Sequence, residues 1–161
     1  MKILSFDQAS AKSGFALYED GVLKEHGVIV IKEKDVKLKL NAMFSQIIEK
    51  IEEYAPDLVV VEGVALQKSA YSVIMLAQLQ GMIIGYCVKI GVKISVVGTT
   101  TWRKVLCFRQ GPKVERKELK AQAKELALRL VGEDKKVTED EADAICIGYA
   151  ASLDKSILGG N

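Results

Sequence analysis

Four acidic residues stand where acids are costly. Asp7 closes the apolar run "ILSF", Glu62 closes "LVVV", and Asp140 and Asp143 lie three apart in "VTEDEADAICIGYAA", just where a helical pattern turns apolar. A carboxylate at the end of a buried strand costs many kcal/mol unless a cation, a proton or a metal meets it. Acids three apart on a helix face the same way, with Cβ atoms about 5–6 Å apart. If the two strands are neighbours, Asp7 and Glu62 converge at one sheet edge, where α/β folds gather their sites, and the acidic helix start can cover that edge. Such an all-oxygen cluster suits Mg²⁺ or Mn²⁺. Two such ions about 3.5–4 Å apart can activate a water and stabilise the leaving oxygen of a phosphodiester. The plainer alternative is charge decoration of a helix N-terminus, worth about 0.3–1 kcal/mol per exposed group. Thr138 and Glu141 have capping-box spacing.

The elements that must carry these acids can be read from periodicity. "KILSFDQAS" predicts a buried strand with Asp7 near its end, and "SGFALYED", Gly21 and "VLKEHGVIVI" predict a hairpin turned at Asp20-Gly21. Residues 37–54 carry one helical apolar stripe, Leu40, Met43, Phe44, Ile47, Ile48 and Ile51. "PDLVVVEG" reads as a strand buried on both faces, residues 70–90 as a long apolar helix, and "VKISVVG" as a further buried strand. "TTTWRKVL" predicts a short helix with threonine at its N-cap, and Trp102 is expected to anchor it in the core. A Gly111-Pro112 loop, a charged amphipathic helix from Glu115 and the acidic helix after Thr138 complete the chain. The order βββαβαβααα predicts an α/β fold with a mixed sheet. One domain is expected over residues 1–154, with a frayed tail over 155–161.

Composition fits a soluble globular protein: 161 residues, 49% hydrophobic and 27% charged. Three scattered cysteines with no C-x-x-C argue against a disulfide framework or thiolate zinc site, and suit a reducing cytoplasm. The N-terminus lacks the pattern of a signal peptide. The apolar region 73–97 is interrupted by Gln78, Gln80, Lys89 and Lys93, so no membrane association is expected. Charge is polarised. Between Trp102 and Lys124, eight basic residues face only Glu115 and Glu118, although the whole chain carries a net +2. Such a basic stretch suits a phosphate-rich partner. His26 reads as a strand residue far from the acids.

With these motifs in order, the chain resembles the RuvC-type Holliday junction resolvases of the RNase H-like nuclease superfamily, most closely their phage-borne branch. "ILSFDQASAKSGFAL" is similar to the family's first strand and hairpin, "LVVVEGVALQKSAYSVIMLAQLQGMI" to its second acidic strand and long helix, and "EDEADAICIGYA" to its final helix. The resemblance implies an RNase H-like mixed five-stranded sheet, three antiparallel strands then two parallel, flanked by helices. It implies that Asp7, Glu62, Asp140 and Asp143 are both catalytic and metal-binding, with Mg²⁺, or Mn²⁺ in its place. It also implies a homodimer cutting branched DNA, four-way junctions and forks, by paired nicks that leave 5′-phosphate and 3′-hydroxyl ends. Two-fold cutting matches two-fold symmetry, and the helix over residues 70–90 is the expected interface. Here "DQAS" replaces the family's frequent Asp-Pro-Gly-Ser, and Ala65 stands where bacterial members carry a stacking aromatic, with Leu66 and Tyr71 as replacements. Expected DNA contacts are Lys12, Ser13, Gln67, Lys68, Tyr71, Arg103, Lys104, Arg109, Lys113, Arg116 and Lys117, with Lys104 and Lys113 closest to the acids. The alternatives are another RNase H-like nuclease, acting on hybrids or forks, an actin-like nucleotide-binding protein, and a branched-DNA binding module without catalysis, against which the four intact acids argue. The absence of a G-x-x-x-x-G-K-[ST] motif weighs against the actin-like reading.

Overall fold

The computed structural model describes residues 1–65 and 69–158. Its first half builds the sheet. Strands β1 (Lys2–Asp7), β2 (Lys12–Glu19) and β3 (Val22–Val30) form an antiparallel meander. Asp20 and Gly21 turn its hairpin, both with positive φ, at 50° and 80°, as a tight primed turn requires. Helix α1 (Val36–Tyr54) then crosses to β4 (Leu58–Glu62), parallel to β1, and α2 (Ala70–Ile90) crosses to β5 (Lys93–Val97), parallel to β4. The strand order is β3-β2-β1-β4-β5, the mixed five-stranded sheet expected.

Period-two alternation sorts side chains between the two faces. Leu4, Phe6, Val59 and Val61 face α1 and α2, packing with Met43, Ile47, Ile51, Leu79 and Ile83. Ile3, Leu58 and Val60 face the other way, into a core with Trp102, Ala123, Ala127 and Ile145. That second layer is built by α3 (Thr99–Val105), α4 (Arg116–Val131) and α5 (Glu139–Leu153). By the same alternation Asp7 and Glu62, two residues beyond Ser5 and Val60, belong to the α5 face.

Helix α5 lies unusually close to the sheet. Tyr18 donates to the Ile145 carbonyl at 2.9 Å, and Ser5 Oγ lies 2.8 Å from that of Ala144. A Cβ on Gly148 would sit 2.5 Å from Ser5 Oγ and 2.7 Å from the Tyr18 ring, and one on Gly14 only 1.9 Å from the Asp140 carbonyl oxygen. The two glycines are what let strand and helix touch.

Three expectations change in detail, at α3, β5 and the tail. Gly98, not a threonine, is the N-cap of α3, which leaves the threonines inside its first turn. Strand β5 is an edge strand rather than a buried one, and Val96 remains 46% exposed. Helix α2 has the length and apolar composition of a membrane span, but it docks on the sheet through the single stripe Leu79, Ile83 and Cys87. Within the expected tail, Lys155–Leu158 forms a short helix α6 whose Ile157 is buried in the core, so hydrophobic burial anchors a segment that looked frayed.

Gly148→Ala should therefore destabilise the protein by about 1–3 kcal/mol, the usual cost of overpacking. Urea unfolding at constant m-value measures it.

Candidate active site

Three contacts bring the acids together. The parallel register aligns Phe6 with Val61, so the next step along both strands carries Asp7 level with Glu62. Across the hairpin, Asp7 is opposite Gly14, and Gly14 touches the Asp140 backbone, so Asp140 comes over the end of β1. Asp143, one helical turn on, follows on the same face of α5. All four acids line one cleft of about 380 Å³. Thr138 and Glu141 do form the capping box, which fixes where α5 begins, and the helix N-terminus favours the negative charge placed there.

Two of the acids, Glu62 and Asp143, are held by neighbours that composition alone does not reveal. Gln8, almost fully buried, donates to the Glu62 carbonyl, and its own carbonyl accepts from the Glu62 N–H at 3.1 Å. One side-chain amide thus extends the β1–β4 ladder past the last backbone pair. Trp102 is completely buried, as expected, and it also serves the site, because its indole N–H donates to Glu62 Oε1 at 2.8 Å. Asp143 is 6% exposed, and its Oδ2 is paired with the Lys120 ammonium. Its other oxygen, Oδ1, is buried without a hydrogen-bond partner among the described residues. Burial pulls the Lys120 pKa down, but the charge and hydrogen bond of Asp143, with Asp7 and Glu139, raise it overall.

The DNA-contact expectations divide. Arg103 and Arg116 line the acid cleft, and Arg103 lies over the Trp102 ring at 4.9 Å. Arg116 and Lys117 also line an adjoining groove with Lys120 and Lys124. Lys12 and Tyr71 are exposed at the starts of β2 and α2, and Arg109 and Lys113 on the connection to α4. Ser13 is a correction. It is fully buried, and its hydroxyl bridges the Ala9 N–H and carbonyl inside the β1–β2 turn, which leaves it nothing to offer a phosphate. Lys104 and Lys113 are not the cations nearest the acids. Trp102 turns into the core, so Lys104 projects instead toward Thr100, Thr101 and Gln110, and Lys120 holds the inner position. Leu66, Gln67 and Lys68 lie outside the described residues. His26 is also closer than expected: it is opposite Ala16 on edge strand β3, beneath the start of α5, and its Nδ1 is 3.2 Å from Glu141 Oε1.

Lys120 had a legible signal. Arg116, Lys120, Ala123 and Ala127 share one face of α4, and the two alanines are buried, so the stripe runs a charge straight into the site. The partnering by Gln8 and Trp102 had none, because it depends on which strand lies beside β1.

Among the described residues, no three His, Cys, Asp or Glu side chains are close enough to hold one ion, and Asp143 is engaged by Lys120. The donor set nevertheless fits a hard divalent cation: it is all carboxylate oxygen, and one of those oxygens is buried and unsatisfied.

A mixed sheet with acids ending two adjacent parallel strands, and more acids on the helix above, defines an RNase H-like nuclease fold. The family model "Crossover junction endodeoxyribonuclease RuvC" matches residues 3–150. Proteins of that name from Geobacter sp. (strain M21) and Citrifermentans bemidjiense are each 29% identical, the first covering 99% of both chains and the second 95% of both. Among solved structures, T. thermophilus RuvC in complex with Holliday junction substrate superposes with a TM-score of 0.75 at 14% identity, covering 95% of this chain and 94% of that one. Fowlpox virus resolvase in complex with substrate Holliday junction DNA gives 0.67 at 18%, covering 98% and 99%. The chain belongs to the RuvC family of crossover junction endodeoxyribonucleases. Dependence on a divalent metal is typical of that family.

The cluster has a measurable cost. Burial first, then the charges of Asp143 and Glu62, hold the Asp7 carboxyl well above its ordinary range, with Lys120 pulling the other way. The folded protein therefore binds this proton more tightly than the unfolded chain. The resulting stability is complete below about pH 4 and is lost as pH rises through the raised value. Asp7→Asn should raise the melting temperature of the metal-free protein at pH 7, by roughly 2–4 °C per kcal/mol recovered. The gain should shrink toward pH 4 in thermal melts run with a chelator.

Proposed function

We propose that this protein resolves four-way DNA junctions, and cuts forks by the same chemistry, through paired metal-dependent nicks at the acid cleft. The observation that carries this is the convergence of Asp7, Glu62, Asp140 and Asp143 on one cleft, with Asp143 Oδ1 buried and unsatisfied. Asp7, between Glu62 on the neighbouring strand and Asp140 above, would hold the cation together with them. Mg²⁺ is the proposed ion, with Mn²⁺ as a substitute. When bound, a pair of such cations supplies an activated water and neutralises the leaving oxygen.

The chain's own groups do the rest. Gln8 and Trp102 fix the backbone and carboxylate of Glu62, so that little reorganisation is needed when charge develops. Arg103 and Arg116, at the cleft, are placed to meet the scissile phosphate. Lys12, Tyr71, Lys104, Arg109, Lys113 and Lys117, with Gln67 and Lys68, are the proposed outer contacts, and the cations among them would steepen the salt dependence of binding. Cleavage leaves a 5′-phosphate and a 3′-hydroxyl. The catalytic unit is residues 1–154, with 155–161 as a C-terminal tail. A cytoplasmic site of action, that of the host cell for a phage-borne gene, belongs to the same reading.

Symmetric cutting calls for two copies. Helix α2 offers the surface: Tyr71, Ile74 and Val88 are 56%, 54% and 70% exposed, and nothing lies within 4 Å of a Cβ built on Gly81 or Gly85. An exposed apolar stripe with small residues at its centre suits close helix–helix approach in a homodimer.

Synthetic four-way junctions should be cut with 5′-phosphate ends in Mg²⁺ or Mn²⁺ and left intact with chelator. Asp7→Asn should bind junctions but cut them at least about a hundredfold more slowly. Wild-type cutting rates by that variant would remove the mechanism. Ile74→Asp with Val88→Asp should halve the particle mass in light scattering and convert paired cuts to single nicks. An unchanged mass would place the interface elsewhere.

A further inference from the structure

Lys120 stands at a boundary between two surfaces. Its side chain lines the acid cleft and also the adjoining groove of about 530 Å³ formed with Arg116, Lys117, Lys124 and Glu139. It is only 19% exposed, and its ammonium is engaged by Asp143 Oδ2, while Asp143 Oδ1 is buried with no partner among the described residues. With that pair closed, no three acids among the described residues gather around a common point. An ammonium and a divalent cation on one buried carboxylate would repel strongly. The Lys120 ammonium and a cation therefore compete for the charge of Asp143.

We propose that Lys120 is a positioning residue: it holds Asp143 in the cation-free protein, and it is released into the Arg116–Lys124 groove when Asp143 takes up a divalent cation. There its ammonium is free to meet a DNA phosphate. Cation and DNA then reinforce each other, since each favours the open pair. In the absence of a cation, Lys120 keeps a buried carboxylate from standing uncompensated, which otherwise destabilises a fold strongly. This inference rests on the metal-site reading above.

The test uses the wild-type protein with Mn²⁺ and no DNA. Acylation of Lys120 by a lysine-reactive reagent, read by peptide mass spectrometry against Lys93 as reference, should rise several-fold when Mn²⁺ is added. A purely structural ion pair would stay protected. In parallel, Lys120→Met should show its Mn²⁺-induced rise in melting temperature at roughly tenfold lower Mn²⁺ than wild type, since no charged hydrogen bond must be broken first. If that variant does not fold, the labelling decides alone. Unchanged or reduced labelling, while Mn²⁺ still raises the wild-type melting temperature, overturns the role of Lys120 and leaves the metal site standing. No effect of Mn²⁺ on the wild-type melting temperature removes the metal site, and this inference with it.

Discussion

The site depends on how closely one helix can approach two strands. Helix α5 touches the sheet at Gly14 and again at Gly148, and no side chain fits at either point without something moving. Between these contacts Ser5 and Tyr18 reach helix carbonyls from the sheet. Those carbonyls already serve the helix, so the extra bonds add attachment without breaking its ladder. The approach is what turns three remote stretches of sequence into one cleft. A helix one methyl group further away would leave Asp140 and Asp143 above the strand ends but out of register with Asp7.

Once the acids are brought together, electrostatics becomes the problem that the surroundings solve. The α5 N-terminus, the Trp102 indole and the Lys120 ammonium each offset part of the negative charge, by three different means. None offsets all of it: the Asp7 carboxyl is still pushed upward, and Asp143 keeps an oxygen with no partner among the described residues. A site that is left short of positive charge, in a cleft open to solvent, is poised for a cation from outside. Its residual strain and its function are one property.

Much of this was legible in the chain. The acid-ended strands, the hairpin at Asp20-Gly21, the capping box and the acid pair three apart each follow from local rules, and local rules survive folding. What escaped depends on neighbours. Ser13 reads as a loop residue able to meet phosphate, but the turn after β1 folds back and consumes its hydroxyl. His26 is over a hundred positions from Glu141, and only the placement of β3 at the sheet edge brings them together. Gln8 is the clearest case. Its replacement of a turn-former reads as a loss, yet it supplies a paired amide to Glu62 that a proline could not.

The two faces of the sheet serve different ends. The face under α5 carries Ser5, Asp7 and Glu62 and packs against small residues such as Ala123, Ala127 and Ala142. The opposite face is apolar at its centre, and α2 on its outside buries only one stripe. Chemistry therefore tolerates little change in volume on one side, while the other side leaves an apolar helix surface to spare. Because α2 packs on Val59 and Val61 of β4, whatever covers that surface rests against the strand that ends in Glu62. Two copies joined through α2 would fix the separation of their two clefts through a single rigid strand and helix in each. That is the arrangement a pair of coordinated cuts requires, and it needs no flexible linker to measure the distance.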